Sequence, residues 1–352
     1  MARSYIICVT RFMKIVVDVV VKKALSFFIN PTLPKSHAKE GGAEGVEYGL
    51  LKNLIDGYTA NESPELLIFG DSVFLRVASD DDCSMSLQEI LDTHYKDDVF
   101  QVSGSGYHSG IFERFSALLS TQVGKPGIVI LPINLRSFSP TWDLNPLYQF
   151  HAEIKLLSLF ESRSPNYMFS GEGTPSDLDN QSVILDCKGQ KLITLADFLD
   201  IISQESEPGS EVWKRRLKAI FQYHYTCPLN SMHRKLQSLK KTIKHLNKIG
   251  VAVYSYITPI NYEAGLEYCG DSFVKGVEEN ISIIKNELKS IVPSLPDCES
   301  NLMFQLDDFS FQFSKGVFFT HHNATEHLRF EGREFIAQHI IKKVQGFKAN
   351  ML

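Results

Sequence analysis

The sequence predicts an α/β fold carried by a central, mostly parallel sheet of about five strands. Three observations predict it. Short apolar runs such as Leu66-Leu-Ile-Phe69, Gly127-Ile-Val-Ile-Leu131 and Val251-Ala-Val-Tyr-Ser-Tyr-Ile257 have the length and near-continuous apolar character of strands buried on both faces. Amphipathic stretches of helical period stand between them, at 84–95, 110–121, 231–248 and 272–291. Polar residues and glycines gather just past the carboxyl ends of the runs, the rim where open α/β sheets hold their ligands.

Length and composition set the bounds. A chain of 352 residues can form one large domain or two. With 43% hydrophobic and 22% charged residues it reads as an ordinary soluble protein. A formal charge of −5 without a long basic run argues against a nucleic-acid partner. Cys8, Cys83, Cys187, Cys227, Cys269 and Cys298 form no Cys-x-x-Cys pair, so neither a zinc site nor a redox motif is supported. Scattered single thiols suit a reducing, cytoplasmic compartment.

Residues 1–34 read as an N-terminal amphipathic arm. Arg11, Lys14, Asp18 and Lys22, continued by Ser26, make one narrow polar stripe on an otherwise apolar helix. Asp18 is costly in lipid, and the charges break the apolar core that a signal peptide needs. Two readings stand for residues 5–29: a helix docked on the protein's own body or a second subunit, or an interfacial helix lying on a membrane. The valine runs leave room for a strand. Residues 35–62 follow as a linker, with Gly41-Gly42 and Gly45, and a short helix at 46–57.

The first half of the core spans 63–138. The run from Glu65 enters Gly70-Asp71-Ser72, which places a candidate nucleophile at a strand's carboxyl end; a turn capping a helix has the same composition. A second strand at 97–102 ends in Ser103-Gly104-Ser105-Gly106-Tyr107-His108-Ser109-Gly110. Its glycines permit positive φ and a close backbone approach to an anion. The alternative is a plain turn, with His108 as a surface residue, and no Lys follows to make a phosphate loop. The third run leads into Asn134, whose carboxamide either donates to a developing negative charge or closes a turn.

Residues 139–228 break this rhythm. A short strand at 183–186 and helices at 194–204 and 211–223 make the stretch too long for a loop, and it reads as an inserted cap. Arg136, Trp142 and His151 are candidates to line a substrate pocket beneath it. The core resumes over 229–348. The basic residues of helix 231–248 read as a solvated face. The fourth strand ends in Thr258-Pro259-Ile260-Asn261-Tyr262, which puts Asn261 on the rim as a candidate substrate contact. A fifth strand covers Leu302–Leu306. The closing segment runs from His321-His322 through Ala324, Thr325, Glu326 and His327 to Gly332, then a helix to about 346. Three histidines in seven residues suggest a metal at first sight, but no further ligands stand at recognisable spacing, so no metal or other cofactor is expected.

In this order the pieces resemble the SGNH (GDSL-type) hydrolase family over roughly 64–138 and 230–347. The resemblance implies a three-layer α/β/α sandwich with a flavodoxin-like sheet, and hydrolysis or transfer of acyl esters, often on carbohydrates. Gly70-Asp71-Ser72 matches the first block, which implies Ser72 as nucleophile. Ser105-Gly106 looks like the second, which makes the Gly106 N–H an oxyanion donor beside that of Ser72. Asn134 falls where the third block's Asn donates from its side chain. His327, followed by Leu328 and by Gly332 before a terminal helix, resembles the last block's base.

Two blocks depart from the family's pattern. The third reads Pro132-Ile133-Asn134-Leu135 in place of Gly-x-Asn-Asp, and the usual Asp three residues before the His is Ala324. His327 is then oriented by a backbone carbonyl in a Ser–His dyad, or by Asn323 or Glu326. The expected function is a serine esterase or acyltransferase acting through a Ser72 acyl-enzyme on a small-molecule or glycan ester, such as an O-acetylated carbohydrate. The rival is a catalytically degenerate member that binds glycan or serves as an assembly subunit.

Overall fold

The computed structural model describes residues 64–119, 125–140, 142, 148–150, 153–154, 157, 195–291 and 304–351. The arm, the linker, the helix expected at 46–57, the strand expected at 183–186 and His151 lie outside the described residues.

The elements run β1 (Leu66–Gly70), α1 (Ser72–Leu75), α2 (Leu87–Tyr95), β2 (Val99–Ser103), α3 (Ser109–Leu119), β3 (Ile128–Ile133), α4 (Leu195–Ser203), α5 (Glu211–Phe221), α6 (Arg234–Lys248), β4 (Ala252–Ile257), α7 (Tyr262–Cys269), α8 (Asp271–Lys289), β5 (Phe304–Asp308) and α9 (Phe330–Met351). The five strands form one sheet in the order β2-β1-β3-β4-β5, parallel at every pairing. The α/β class and central parallel sheet predicted from the apolar runs are what the structure contains. Strand order reverses between β1 and β3, which opens a crevice at their carboxyl ends.

The pleat divides the core into two layers. Leu67, Phe69, Val129, Leu131, Val253 and Ile257 point to one face, where α3, α6 and α8 pack on them. Leu66, Ile68, Ile128, Ile130, Ala252, Tyr254 and Tyr256 point to the other, covered by α2 and α9. β1, β3 and β4 are buried along their whole length, which is why they read as continuous apolar runs and not as alternating ones. The helices α4 and α5 join the first layer through Phe198, Ile202, Ala219 and Phe221.

Local signals set the helix ends. The Ser86 hydroxyl accepts the Glu89 N–H while the Glu89 carboxylate accepts the Ser86 N–H, a capping box that starts α2. α7, absent from the sequence reading, starts on an Asn261 cap and stops at Gly270, whose φ is 73°. β5 lies two residues later than the expected Leu302–Leu306. As an edge strand it tolerates Asp307 and Asp308, which pair with His339, Lys343 and Lys285. Among the described residues no helix is long and apolar enough to cross a membrane.

Candidate active site

The site is assembled at the carboxyl ends of β1 and β3 and on the segment before α9. Gly70 ends β1 packed beside Ser103 and Phe74, where a Cβ would crowd the Ser103 hydroxyl and the Phe74 ring. Asp71 then caps α1, its Oδ1 accepting the Val73 N–H at 2.8 Å. Ser72 is thereby fixed as the first residue of that turn.

His327 is delivered from 255 residues away, and its Nε2 lies 3.0 Å from the Ser72 Oγ. Several contacts hold its segment. Phe318 and Leu328 form an antiparallel bridge, Phe319 N–H donates to the His327 carbonyl at 3.1 Å, and the Phe319 ring lies 5.4 Å from the imidazole. At the other ring nitrogen, the Thr325 Oγ1 lies 3.1 Å from Nδ1 and also accepts the His327 backbone N–H at 3.1 Å. The hydroxyl of Thr325 stands where a carboxylate was missing. Its signal was present in the sequence, since a Thr two residues before a His can bond back to that residue's N–H in a hydroxyl turn.

The other sequence candidates for that place are engaged elsewhere. Ala324 packs in the apolar core. Glu326 is 1% exposed; it accepts the Tyr225 hydroxyl and lies 3.5 Å from an Arg136 guanidinium nitrogen. Asn323 is exposed, and its carbonyl accepts from Asn261.

Asn134 is buried beside Asp71. Its Nδ2 donates to Asp71 Oδ2 at 2.8 Å, and its Oδ1 accepts the Arg136 N–H at 3.0 Å. The second Nδ2 hydrogen has no partner among the described residues. Gly106 sits at φ 83°, and a Cβ there would meet the Tyr148 ring at 2.9 Å, so this turn requires glycine twice over. His108, read as a surface residue, is buried: its Nδ1 accepts the Gly110 N–H and its Nε2 lies 2.8 Å from the Tyr148 carbonyl. Trp142 is buried and stacked on Tyr148. Arg136 keeps 16% of its side chain exposed and turns inward to Glu326.

Expected to meet substrate, Asn261 is instead fully buried, and its Nδ2 donates to the carbonyls of Thr320, His321 and Asn323 at 3.1–3.3 Å. It clamps the loop that leads to His327. His322 faces Tyr268 and Trp213 while His327 faces Ser72, so these two do not converge.

Electrostatics separate the titratable groups. Burial, then the charges of Arg76 and Arg136, push the His327 pKa down to about 3. Burial raises Asp71 to about 6, against the hydrogen bonds from Asn134 and Val73 that favour its anion. A neutral imidazole beside a serine hydroxyl is the state that can accept a proton.

With this geometry in view, comparisons with known proteins add little. No family model and no curated protein matches the chain. One solved structure it resembles is a catalytic mutant of an acetylxylan esterase from Geobacillus stearothermophilus. That pair shares 11% identity over 81% of this chain and 95% of the other, with a TM-score of 0.36. A score of that size is too low to argue from, and the chemistry below rests on the site.

Proposed function

We propose that the protein is a serine hydrolase of SGNH type that cleaves or transfers an acyl ester through an acyl-enzyme on Ser72. The observation that carries this reading is the 3.0 Å contact between the Ser72 hydroxyl and a partly buried His327. The Thr325 hydroxyl takes the Nδ1 hydrogen, which leaves Nε2 bare toward Ser72. Nε2 removes the hydroxyl proton as Oγ attacks the ester carbonyl carbon. The oxyanion formed is received by the N–H groups of Ser72 and Gly106 and by the free Nδ2 hydrogen of Asn134. Collapse breaks the ester C–O bond, and the leaving alkoxide takes the proton from His327. Water, or a second hydroxyl in transfer, then gives its proton to His327 as it attacks the acyl carbon; the acyl–Oγ bond breaks, His327 returns the proton to Ser72, and the acid or the new ester leaves. Thr325 differs from the usual carboxylate in one respect: it orients the ring but brings no charge to stabilise the imidazolium. An O-acetylated carbohydrate is the substrate type that the family resemblance implies.

A fluorophosphonate probe tests this directly. Label is expected on Ser72, identified by peptide mass spectrometry, and is lost in Ser72→Ala and His327→Ala. A folded wild-type chain that takes no label, from a large or a small probe, would point instead to a glycan-binding or assembly subunit.

A further inference from the structure

Arg76 is the charged group that the Ser72 chemistry leaves unused. It follows Ser72 by one turn, its backbone N–H donating to the Ser72 carbonyl at 3.0 Å. Its half-buried side chain donates to the exposed Ser105 hydroxyl at 3.4 Å. Among the described residues no carboxylate lies within ion-pair distance of it. The nearby acids are committed elsewhere. Asp80 pairs with Arg329 at 2.8 Å and Asp81 with Arg333 at 2.7 Å. Glu326 pairs with Arg136, and Asp71 spends both oxygens on Val73 and Asn134. Arg136 brings a second guanidinium near enough to oppose the charge on Arg76, and its buried Nε has no partner among the described residues. Two guanidinium groups therefore bear on one rim, and among the described residues Arg76 has no ion-pair partner, with the charge of Asp71 acting on it from beyond ion-pair distance.

We propose that the substrate of the Ser72 site is an anionic ester, whose carboxylate or phosphate group is received by Arg76 beside Ser105. This rests on the Ser72–His327 reading. The guanidinium fork matches either oxyanion with two parallel hydrogen bonds. Such an anion also offsets one of the two cations that disfavour a proton on His327. Substrate binding thus strengthens the base at the moment Ser72 gives up its proton.

The test compares kcat/KM of the full chain for O-acetylglucose, O-acetylglucuronate and an O-acetylglucose phosphate at low salt, in wild type and Arg76→Gln, with fluorophosphonate labelling of Ser72 in parallel. At least one anionic ester is expected to exceed the neutral one by about tenfold or more. That ratio should fall toward one in Arg76→Gln, mainly through KM, while Ser72 still takes label. Whether glucuronate or the phosphate leads tells carboxylate from phosphate. Equal rates for charged and neutral esters, or a preference that survives Arg76→Gln, would overturn the inference and leave the hydrolase reading standing. Absence of both label and turnover would overturn both.

Discussion

At the scale of single residues, the chemistry turns on the buried Asp71 and the partly buried His327, each pushed in an unusual direction. His327, near 3 in the fold and about 6.5 when unfolded, stays neutral while the unfolded chain takes up its proton. The unfolded state binds more protons between those values, so this residue makes stability fall as pH drops from 6.5 toward 3. Asp71 acts the other way. Its pKa rises from 3.8 to about 6 on folding, so the folded state holds the extra proton and stability falls as pH rises through that window. Each slope reaches at most ~1.4 kcal/mol per pH unit, and between pH 4 and 6 they oppose each other. Urea titrations over that range should show His327→Gln losing an upward slope with pH relative to wild type, and Asp71→Asn losing a downward one. Variants whose slopes match wild type would mean that neither group is shifted. Thr325 gives a second residue-scale test. Thr325→Val keeps the shape but removes the acceptor for Nδ1 and for the His327 N–H, and kcat/KM should drop by roughly tenfold or more. Thr325→Asp should move the histidine pKa back up, so that activity acquires an acidic limb as pH falls. A flat pH profile in Thr325→Asp would show that Thr325 does not face the ring in solution.

At the scale of elements, Asn261 links α7 to the segment carrying His327. One amide cap starts the helix through its oxygen and ties down three carbonyls of the 320–323 loop through its nitrogen. Asn261→Asp keeps the cap oxygen and replaces the donor by an acceptor facing those carbonyls. Both Asn261→Asp and Asn261→Ala should cost about 1–3 kcal/mol in urea unfolding. Hydrogen exchange should speed up across 320–323, with a fall in kcat. A change in KM alone, with stability intact, would return Asn261 to the role of a substrate contact.

At the scale of the whole molecule, the two halves of the chain are locked by Arg333. Its guanidinium is 1% exposed, donates to Asp81 Oδ2 at 2.7 Å, and fills the carbonyls of Cys83, Met85 and Leu328. It joins α9 at the chain's end to the loop between α1 and α2, and it buttresses Leu328 next to the base. Arg333→Met strands the buried Asp81 carboxylate and three carbonyl acceptors. A loss of ~3–5 kcal/mol is expected, partly recovered in Arg333→Met with Asp81→Asn. A single variant as stable as wild type would show that the two halves are held by apolar packing alone.

The sequence by itself determined the sheet, because β1, β3 and β4 are buried on both faces and must be written as unbroken apolar runs. It also marked Ser72 and Asn134 by their places just past strand ends, and it marked Gly106 and His327 through the order of blocks that resembles a known family. Where a side chain points was not written there. Asn261 and Asn134 both follow strands, yet one is enclosed in a clamp and the other keeps a hydrogen free beside Asp71. Glu326 and Thr325 are adjacent, and only the path of the backbone into α9 turns the hydroxyl to the imidazole and the carboxylate to Tyr225 and Arg136. That no carboxylate among the described residues forms an ion pair with Arg76 is likewise a property of its surroundings, since it depends on acids elsewhere in the chain being engaged with other partners. Burial periodicity is local and survives in one dimension. Hydrogen-bond partnership and charge balance are sums over neighbours that only the tertiary structure brings together.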